Sequence, residues 1–283
     1  MLIDIGANLT HPSFGPDIDD VLARARTAGV SHLVVTGASV AESGHAQALA
    51  AAHPSLISAT AGVHPHHAWA FDGETTAQLR LLAGRPGVVA IGECGLDFNR
   101  NYSPHPAQES CFIAQLELAI ELKKPLFLHS RDAHPRMADL LRAHRNELPP
   151  GVAHCFTGER EELFAYLDLG LSIGITGWIC DERRGRHLLE LVREIPLERL
   201  LLETDAPYLT PRDMKPQPKG RRNEPAFLPH IARAVAGALG LPLEEVARAT
   251  TRNAEAFFGL APVTRLPGVT PLPGVTLPCP EPG

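Results

Sequence analysis

Residues 88–97 read VVAIGECGLD, and residues 126–132 read LFLHSRD. Both are short apolar runs that end in polar side chains, which is typical of a buried strand followed by a loop. Between them, the segment AQESCFIAQLELAIELKK begins at Ala107 and places apolar residues such as Ile113 and Leu116 at spacings near three and four. That spacing indicates an amphipathic helix. Together the three segments predict a strand–helix–strand unit.

The same alternation recurs along most of the chain. Helix-like segments such as DIDDVLARARTAG, which ends at Gly29, and RHLLELVREIP, which stops at Pro196, separate the strand-like runs. Eight strands, each followed by a helix at roughly thirty-residue spacing, predict an α/β fold of the (β/α)8 TIM-barrel type. A doubly wound open sheet is the alternative. It fits less well, because the first strand has no GxGxxG turn and no run resembles an antiparallel edge. The other strand-like runs begin at Leu2, His32, Leu56, Val152, Ser172 and Leu200.

Two further helices are predicted after the eighth strand, around His230–Leu239 and Leu243–Phe258. We therefore expect one barrel domain over residues 1–261 with extra C-terminal helices. Residues 262–283 differ in kind, because they contain seven prolines in 22 residues and repeat the sequence LPGVT. A proline-rich repeat cannot bury a core, so this tail is expected to be extended and flexible.

Composition limits the classes of protein to which the chain can belong. The 283 residues are 44% hydrophobic with a formal net charge of -6, which excludes a mainly disordered chain and a generally basic nucleic-acid binder. No apolar run reaches the roughly 18 residues of a membrane span, and the N-terminus lacks the features of a signal peptide. The five cysteines form no CxxC pair. These features predict a soluble cytoplasmic protein with reduced thiols and no membrane partner.

Polar side chains recur where the predicted strands meet the loops that follow them. In a barrel these strand ends converge on one face, where active sites are built. Imidazoles and carboxylates from separate strands are the ligands that a divalent metal requires. Any single histidine here could be an ordinary buried one, but several separate strands that each end in such residues favour a metal site. The residues are His64, His66, Glu93, Asp97, His129, His154 and Asp205.

Other catalytic chemistries have less support in the sequence. The chain contains no GxxxxGK[ST] loop, no HExxH helix and no GxSxG elbow. A thiol nucleophile is conceivable, because Cys94 adjoins Glu93 and Cys155 adjoins His154. Since neighbouring strand residues point to opposite faces, both cysteines are instead expected to face the helices and lie in the core.

Five motifs, in order along the chain, resemble the TatD family of metal-dependent deoxyribonucleases within the amidohydrolase-like barrel superfamily. The resemblance runs from Leu2 to about Phe258 and leaves only the proline-rich tail uncovered. The segments WICDERR and RRNEPAFLPHI are similar to the TatD branch of that family. The five motifs are VVAIGECGLDFNR, PLFLHSRD, GVAHCFTG, GITGW and LLLETDAPYL.

The resemblance implies specific roles for the residues at the strand ends. Glu93, His129 and His154 are expected to bind metal. Asp205 is expected to be the catalytic carboxylate that contacts both metal and the attacking water, and His64 to contact the scissile phosphate. The resemblance favours Mg²⁺, which also suits phosphate oxygens, whereas the histidine ligands suit Mn²⁺ or Zn²⁺.

The first strand departs from the family pattern. Most members begin with a strand ending in His-x-His, which holds a metal, and this chain has Gly6 and Asn8 at the corresponding positions. Glycine has no side chain to act as a ligand, and asparagine offers only an amide oxygen. We therefore expect at most one tightly bound ion in the resting protein.

The expected substrate is DNA, with RNA as a further possibility. Asn8, His66, Arg183 and Arg184 are assigned to substrate binding, since basic groups around a metal site suit a phosphodiester. Residues 210–224 carry five basic and two acidic residues, although salt bridges such as one between Arg222 and Glu224 would account for that stretch equally well. The aromatic residues Phe156, Trp178 and Tyr208 could stack an unpaired base.

Three functions remain open from the sequence. The preferred one is metal-dependent hydrolysis of DNA phosphodiesters, with 3′-to-5′ exonuclease action on single strands implied by the resemblance. A metal-dependent hydrolase of small amides, esters or lactones would use the same barrel and ligands. A nucleic-acid-binding scaffold with degraded catalysis would account for Gly6 and Asn8.

Overall fold

Eight parallel strands alternate with helices along residues 1–262, the part of the chain that this computed structural model describes, apart from the side chain of Lys219. The strands are β1 (Leu2–Ala7), β2 (Val30–Val35), β3 (Ile57–Ala61), β4 (Val88–Asp97), β5 (Leu126–Arg131), β6 (Gly151–Ala153), β7 (Ser172–Ile175) and β8 (Leu200–Leu202). The helices are α1 (Ile18–Thr27), α2 (Val40–Ala52), α3 (Gly73–Ala83), α4 (His105–Leu122), α5 (His134–Ala143), α6 (Arg160–Asp168), α7 (Leu188–Leu191), α8 (Leu228–Leu239) and α9 (Leu243–Phe258).

The strands pair in sequence order from β1 to β8, and every pair is parallel. The sheet closes between its first and last strands. Ala7 pairs with Ala206, the amide of Asn8 donates to the Ala206 carbonyl at 2.7 Å, and the amide of Asp205 donates to the Gly6 carbonyl at 2.8 Å. Sequential order with closure confirms the TIM barrel, since a doubly wound sheet is open and reverses its strand order.

Two hydrophobic cores follow from the alternation of side chains along the strands. The larger core lies between the strands and the surrounding helices. The smaller one fills the barrel interior with residues such as Ile5, Phe127 and Leu201, and Phe258 of α9 joins it.

Helix α9 lies across the N-terminal end of the barrel. Thr251 donates to the Met1 carbonyl at 3.0 Å, and Asn253 donates to the carbonyls of Leu197 and Leu200 at 2.7 and 2.8 Å. Because this end is covered, the C-terminal face is the open one, and the strand-end side chains lie there.

The predicted helices are largely confirmed. The two helices after β8 occur at the expected places, and α4 begins at His105, just before Ala107. The helix expected over RHLLELVREIP is shorter than the sequence indicated: α7 spans Leu188–Leu191 and continues as a 3-10 turn over Val192–Glu194. Pro196 accounts for the end of that turn, because it disfavours helical backbone at the residue before it, and Ile195 is extended.

Among the described residues, no single helix has both the length and the apolar content of a membrane span. The segments Pro225–Leu239 and Leu243–Phe258 have both only as a pair, with a bend of 111° between them. The flexible tail expected from Pro262 onward lies, after its first residue, outside the described part of the chain.

Candidate active site

A cavity of about 750 Å³ opens at the C-terminal ends of the strands. Because the barrel is closed, side chains far apart in sequence, such as Asn8 and Asp205, meet in this cavity. Arg183, by contrast, does not line the cavity. The predicted site residues that do line it are Asn8, His64, His66, Glu93, Asp97, His129, His154, Arg184 and Asp205.

Glu93, near the end of β4, is the centre of the site. Three imidazole nitrogens approach its Oε1 atom: His129 Nδ1 at 2.9 Å, His154 Nε2 at 3.1 Å and His64 Nε2 at 3.3 Å. Burial alone would raise the pKa of Glu93, but interactions with the nearby His64 and His154 and hydrogen bonds from His129 and His154 hold that pKa well below its usual range. Glu93 is therefore an anion within a shell of nitrogen ligands.

Two further carboxylates hold the far sides of these imidazoles. Asp97 Oδ2 lies 3.4 Å from His129 Nε2, and Glu203 Oε2 lies 3.0 Å from His154 Nδ1. Each ring thus has one nitrogen against Glu93 and the other against an outer carboxylate. Although burial favours the neutral rings, hydrogen bonds that His129 donates to Asp97 and Glu93 raise the pKa of His129, and the charges of Glu203 and Glu93 raise that of His154.

Glu203 is a site residue that the sequence analysis missed. It is fully buried, and it also accepts a hydrogen bond of 2.5 Å from the amide of Cys155. The signal for it was present in the sequence, because Glu203 stands two residues after Leu201 of β8, and side chains two apart along a strand share a face. Leu201 belongs to the barrel interior, so Glu203 points inward as well.

Gly6 makes room for Glu203. A Cβ atom at position 6 would collide with Glu203 Oε2, and one at Gly174 would collide with Glu203 Oε1. The absence of a histidine at position 6 therefore has a steric reason in this chain, since the carboxylate of Glu203 occupies the space that a side chain there would need.

Asp205 lies just beyond β8 and is held by Asn8, whose Nδ2 donates to Asp205 Oδ1 at 2.9 Å. The pKa of Asp205 is raised to about 7, mainly by burial; the nearby Glu93 and Glu203 contribute to the rise, and His154 and Asn8 oppose it. A carboxyl group with this pKa is suited to accept a proton near neutral pH. Asn8, assigned to substrate binding from the sequence, is seen here to orient Asp205.

After β3, His64 caps the N-terminus of the 3-10 helix Pro65–Ala70, and His66 lies in that helix. Burial lowers the pKa of His64 to about 4, so its ring is neutral. A nitrogen of His64 lies within 4.8 Å of ligand atoms of Glu93 and His129, an arrangement compatible with a shared metal ion. His66 lines the cavity, but its Nε2 is already 2.8 Å from Asp97 Oδ2.

The two cysteines next to site residues differ in position. Cys94 is fully buried in the outer core, as predicted. The same prediction for Cys155 is wrong, because Cys155 lines the cavity. Strand β6 ends at Ala153, and Cys155 has a left-handed backbone with φ 48°, so strand alternation no longer applies there. Burial, with Asp205 and Glu203 nearby, raises the Cys155 pKa well above its usual range, which argues against a thiolate nucleophile.

Arg184 is the one predicted arginine at the cavity. Its guanidinium lies 4.2 Å from the ring centre of Trp178, and its Nε donates to Asp181 Oδ2 at 3.0 Å. Arg183 is paired more loosely with Asp181 at 3.5 Å and lies outside the cavity lining. Arg222, in the basic stretch after β8, forms salt bridges with Asp17 and Glu224, which supports the salt-bridge interpretation of that residue.

The charge around the cavity is predominantly negative. Its carboxylates are Glu42, Glu93, Asp97, Asp132, Glu159, Glu162 and Asp205, and its arginines are Arg100, Arg131 and Arg184. Arg100 and Arg131 follow or end strands β4 and β5 and were not singled out from the sequence. Of the aromatic residues considered for stacking, Trp178 and Tyr208 line the cavity, whereas Phe156 is buried in the core.

The arrangement fits a divalent metal ion. Metal-binding histidines typically donate their second N–H to a carboxylate, which fixes the tautomer and the ring orientation. Both His129 and His154 are placed in this way, by Asp97 and Glu203. The hydrogen bonds between Glu93 and the rings of His129 and His154 each contain a proton. A cation that bound at this position would displace those protons.

Comparison with known proteins places the site in a family. The family model described as TatD related DNase matches residues 3–259. A protein of Pantoea ananatis named 3′-5′ ssDNA/RNA exonuclease TatD is 56% identical over 259 residues, which cover 92% of this chain and 100% of that protein. A protein of the same name from Erwinia billingiae is 57% identical, over 92% of this chain and 99% of its own length.

Solved structures agree with these sequence matches. The TatD homologue YJJV from Escherichia coli K12 superimposes with a TM-score of 0.84 at 29% identity, over 92% of this chain and 98% of that protein. A TatD family hydrolase from Entamoeba histolytica gives a TM-score of 0.81, also at 29% identity, over 92% and 98% of the two chains. This chain belongs to the TatD related DNase family.

Proposed function

We propose that this chain is a metal-dependent nuclease that hydrolyses phosphodiester bonds of single-stranded DNA from the 3′ end. The observation that carries this proposal is the cluster of Glu93 with His64, His129 and His154, in which outer carboxylates hold two of the imidazoles. The polarity and the strand preference rest on the similarity to proteins named 3′-5′ ssDNA/RNA exonuclease, and the same similarity makes RNA a second substrate.

Glu93, His129, His154 and Asp205 would hold the metal, with His64 within reach of the same position. When bound, a divalent ion polarises the phosphoryl oxygen and lowers the pKa of water. Asp205 accepts the proton of the attacking water, for which its pKa of about 7 is suited. Asn8 keeps Asp205 oriented through the hydrogen bond of 2.9 Å.

Mg²⁺ is the proposed ion, because a phosphate substrate supplies the hard oxygen ligands that Mg²⁺ prefers. Three imidazoles close to Glu93 also suit Mn²⁺ or Zn²⁺. The seven carboxylates around the cavity repel a phosphodiester, so bound cations are needed to bring a polyanion to Asp205. Arg100, Arg131 and Arg184 add positive charge at the rim.

A nuclease assay of the metal-free protein on end-labelled single-stranded DNA tests this proposal. Degradation should be absent without metal and restored by Mg²⁺, with Mn²⁺ and Zn²⁺ as parallel arms. A label at the 5′ end should give a ladder of shortening fragments, and a label at the 3′ end should be released at once as a mononucleotide. Glu93→Gln is the matched control, and we expect it to lose on the order of several kcal/mol of barrier lowering.

Each other outcome points to a different function. Binding of DNA without cleavage under every metal would indicate a scaffold, and neither binding nor cleavage would favour a small-molecule hydrolase. Near-normal turnover by Glu93→Gln at saturating Mg²⁺ would contradict the assignment of Glu93. We also propose a cytoplasmic location, since Cys94, Cys111, Cys155 and Cys180 are all free thiols, as a reducing compartment maintains them.

A further inference from the structure

Three large aromatic side chains are exposed on loops of the active face. Trp69 follows β3 and is 68% exposed, Tyr102 follows β4 and is 63% exposed, and Tyr208 follows β8 and is 52% exposed. Tyr208 lines the cavity, whereas Trp69 and Tyr102 lie outside its lining. Exposed aromatic rings gathered beside an active site indicate a surface that binds another molecule.

The backbones that carry Trp69 and Tyr102 are tied to each other. The amide of Trp69 donates to the hydroxyl of Ser103 at 3.1 Å, and that hydroxyl donates to the His66 carbonyl at 3.0 Å. Ser103, the residue after Tyr102, is fully buried. The two loops therefore form one unit with both rings on its surface.

Gln108 of α4 fixes this unit to the metal-binding strand. Its Nε2 donates to the carbonyls of Ser103 at 2.9 Å and Asp97 at 3.0 Å, and its Oε1 accepts from the Asp97 amide at 2.8 Å. The aromatic rim, which we define as Trp69 and Tyr102, is thereby held at a set position relative to the end of β4.

A continuous line of rings joins the rim to the metal ligands. Tyr102 contacts His66 edge to face at 4.8 Å between ring centres, His66 contacts His64 at 4.2 Å, and His64 contacts His129 at 4.3 Å. The rim thus lies beside the cavity on the side of β3 and β4.

A nucleic-acid strand must leave the cavity across its edge. A volume of about 750 Å³ lies within the range of roughly 300–1,000 Å³ in which a pocket encloses one small-molecule-sized ligand. This is the scale of one terminal nucleotide, so the nucleotides that precede it lie outside. Unpaired bases have exposed faces that stack on aromatic rings, whereas bases in a duplex have theirs covered.

We propose that Trp69 and Tyr102 form a base-stacking subsite for the nucleotides that precede the terminal one in a single strand. This proposal deepens the proposed nuclease function and rests on it. The subsite would bind any base, because every base has a π face, and it would select single strands over duplexes.

Two substrates of different length test the subsite. Thymidine 5′-p-nitrophenyl phosphate has a terminal nucleoside and no preceding base, and a ten-residue oligothymidylate has both. We expect Trp69→Ala and Tyr102→Ala each to lower kcat/KM for the oligothymidylate by about 5- to 150-fold, which corresponds to ~1–3 kcal/mol of stacking per base. Neither variant should change kcat/KM for the nitrophenyl ester.

Matched controls separate stacking from structural damage. Trp69→Phe and Tyr102→Phe keep a ring and should retain most of the activity on the oligothymidylate. Leu81→Ala removes a side chain that is 71% exposed on α3, outside the cavity lining, and should change neither substrate. The wild type should have a lower kcat/KM for an oligothymidylate with abasic residues before the terminal nucleotide. On that abasic substrate, Trp69→Ala should lower kcat/KM little further.

A binding measurement keeps the test independent of turnover. The chain has two tryptophans, so Trp178→Phe leaves Trp69 as the single reporter. A phosphorothioate oligothymidylate, which resists hydrolysis, should quench its fluorescence when added together with Mg²⁺. Quenching without any cleavage of the unmodified oligothymidylate in the presence of metal would refute the nuclease proposal and retain the subsite. Unchanged kcat/KM of both alanine variants on the oligothymidylate, or an equal loss on both substrates, would overturn the subsite.

Discussion

At the scale of single residues, the site depends on which nitrogen of each imidazole faces the metal position. His154 has Nε2 directed to Glu93 and Nδ1 directed to Glu203, at 3.1 and 3.0 Å. A carboxylate at Nδ1 favours the tautomer with the proton there, which leaves Nε2 able to bind a cation. Glu203 therefore acts through His154, as a positioning residue.

Glu203→Gln should weaken metal binding while the barrel stays folded. One Glu203 oxygen accepts from His154 and the other from the Cys155 amide, so the NH2 group of glutamine must face one of these two donors. Loss of such an outer carboxylate typically costs 10- to 100-fold in metal affinity or activity. Titration calorimetry with Mn²⁺ on the metal-free protein measures the affinity, and circular dichroism checks the fold.

Glu224→Gln serves as the control for Glu203→Gln, because Glu224 pairs with Arg24 and Arg222 away from the cavity. An affinity for Mn²⁺ equal to that of the wild type in Glu203→Gln would show that Glu203 does not position His154.

Arg184 and Arg183 provide a matched pair for testing phosphate contacts. Arg184 lines the cavity and Arg183 does not, although they are neighbours in sequence and both pair with Asp181. We expect Arg184→Ala to weaken binding of single-stranded DNA and to flatten its salt dependence by a log–log slope of roughly 0.7, the value for one lost contact. Arg183→Ala should change the slope less. Equal slopes for the wild type and Arg184→Ala, in fluorescence anisotropy at several salt concentrations, would exclude the contact.

Much of this residue-level arrangement could be predicted from the sequence. Glu93, His129, His154 and Asp205 stand at strand ends, and convergence of those ends in a barrel is enough to place them together. Arg100 and Arg131 could not be selected, because their approach to the cavity depends on loop paths. For the same reason, sequence spacing could not separate Arg183 from Arg184.

At the scale of secondary-structure elements, strand alternation predicted side-chain directions only as far as each strand continued. It held for Cys94 within β4 and failed for Cys155, two residues after the end of β6. Cys155 and Asp205 both have left-handed backbones, with φ of 48° and 54°. Such conformations are uncommon outside glycine and leave little signal in sequence. At Cys155 and Asp205 they turn the chain so that the side chain points into the cavity.

The seam between β1 and β8 depends on a buried carboxylate. Asp4 accepts hydrogen bonds from the amide and hydroxyl of Thr204 at 2.9 and 2.6 Å. Burial raises the pKa of Asp4 from 3.8 to about 7, against the opposing effect of the Thr204 hydrogen bonds. Since the folded pKa lies above the unfolded one, the stabilising contribution of the protonated form is complete below about pH 4 and is lost as pH rises through 7.

Asp4→Asn should remove this pH dependence. Asparagine is neutral at every pH and nearly the same shape, and its amide can donate to the Thr204 hydroxyl. The free energy of unfolding of the variant minus that of the wild type should rise by roughly 4 kcal/mol between pH 4 and pH 8, because the shift is about three pKa units. Urea unfolding at several pH values measures this difference. If the free energies of unfolding of the two proteins changed in parallel with pH, the pKa of Asp4 would be the same in the folded and unfolded states.

At the scale of the whole molecule, the barrel has one closed end and one open end. Phe258 of α9 enters the interior core at the N-terminal end and is 5% exposed, and the acidic cavity occupies the other end. The net charge of -6 opposes binding of a polyanion. Association with DNA therefore depends on bound cations and on local groups at the open face, so the overall composition did not predict the substrate.

Residues 263–283 lie beyond both the described part of the chain and the family match, which ends at residue 259. The relative from Pantoea ananatis aligns over its full length with 259 residues of this chain. Deletion after Pro262 should therefore leave the melting temperature and nuclease activity unchanged, because the α9 closure is complete at Phe258. The tail also has no apolar periodicity with which to pack.

A second truncation, after Ala256, makes this test discriminating. It removes Phe258 from the barrel interior, and loss of a buried phenylalanine costs about 3–5 kcal/mol. For a domain of this size, that loss should lower the melting temperature by roughly 6–20 °C. Differential scanning calorimetry on the full chain and both truncated forms compares them directly. If deletion after Pro262 alone lowered the melting temperature by more than a few degrees, the tail would have to pack on the barrel, and the domain would extend past residue 261.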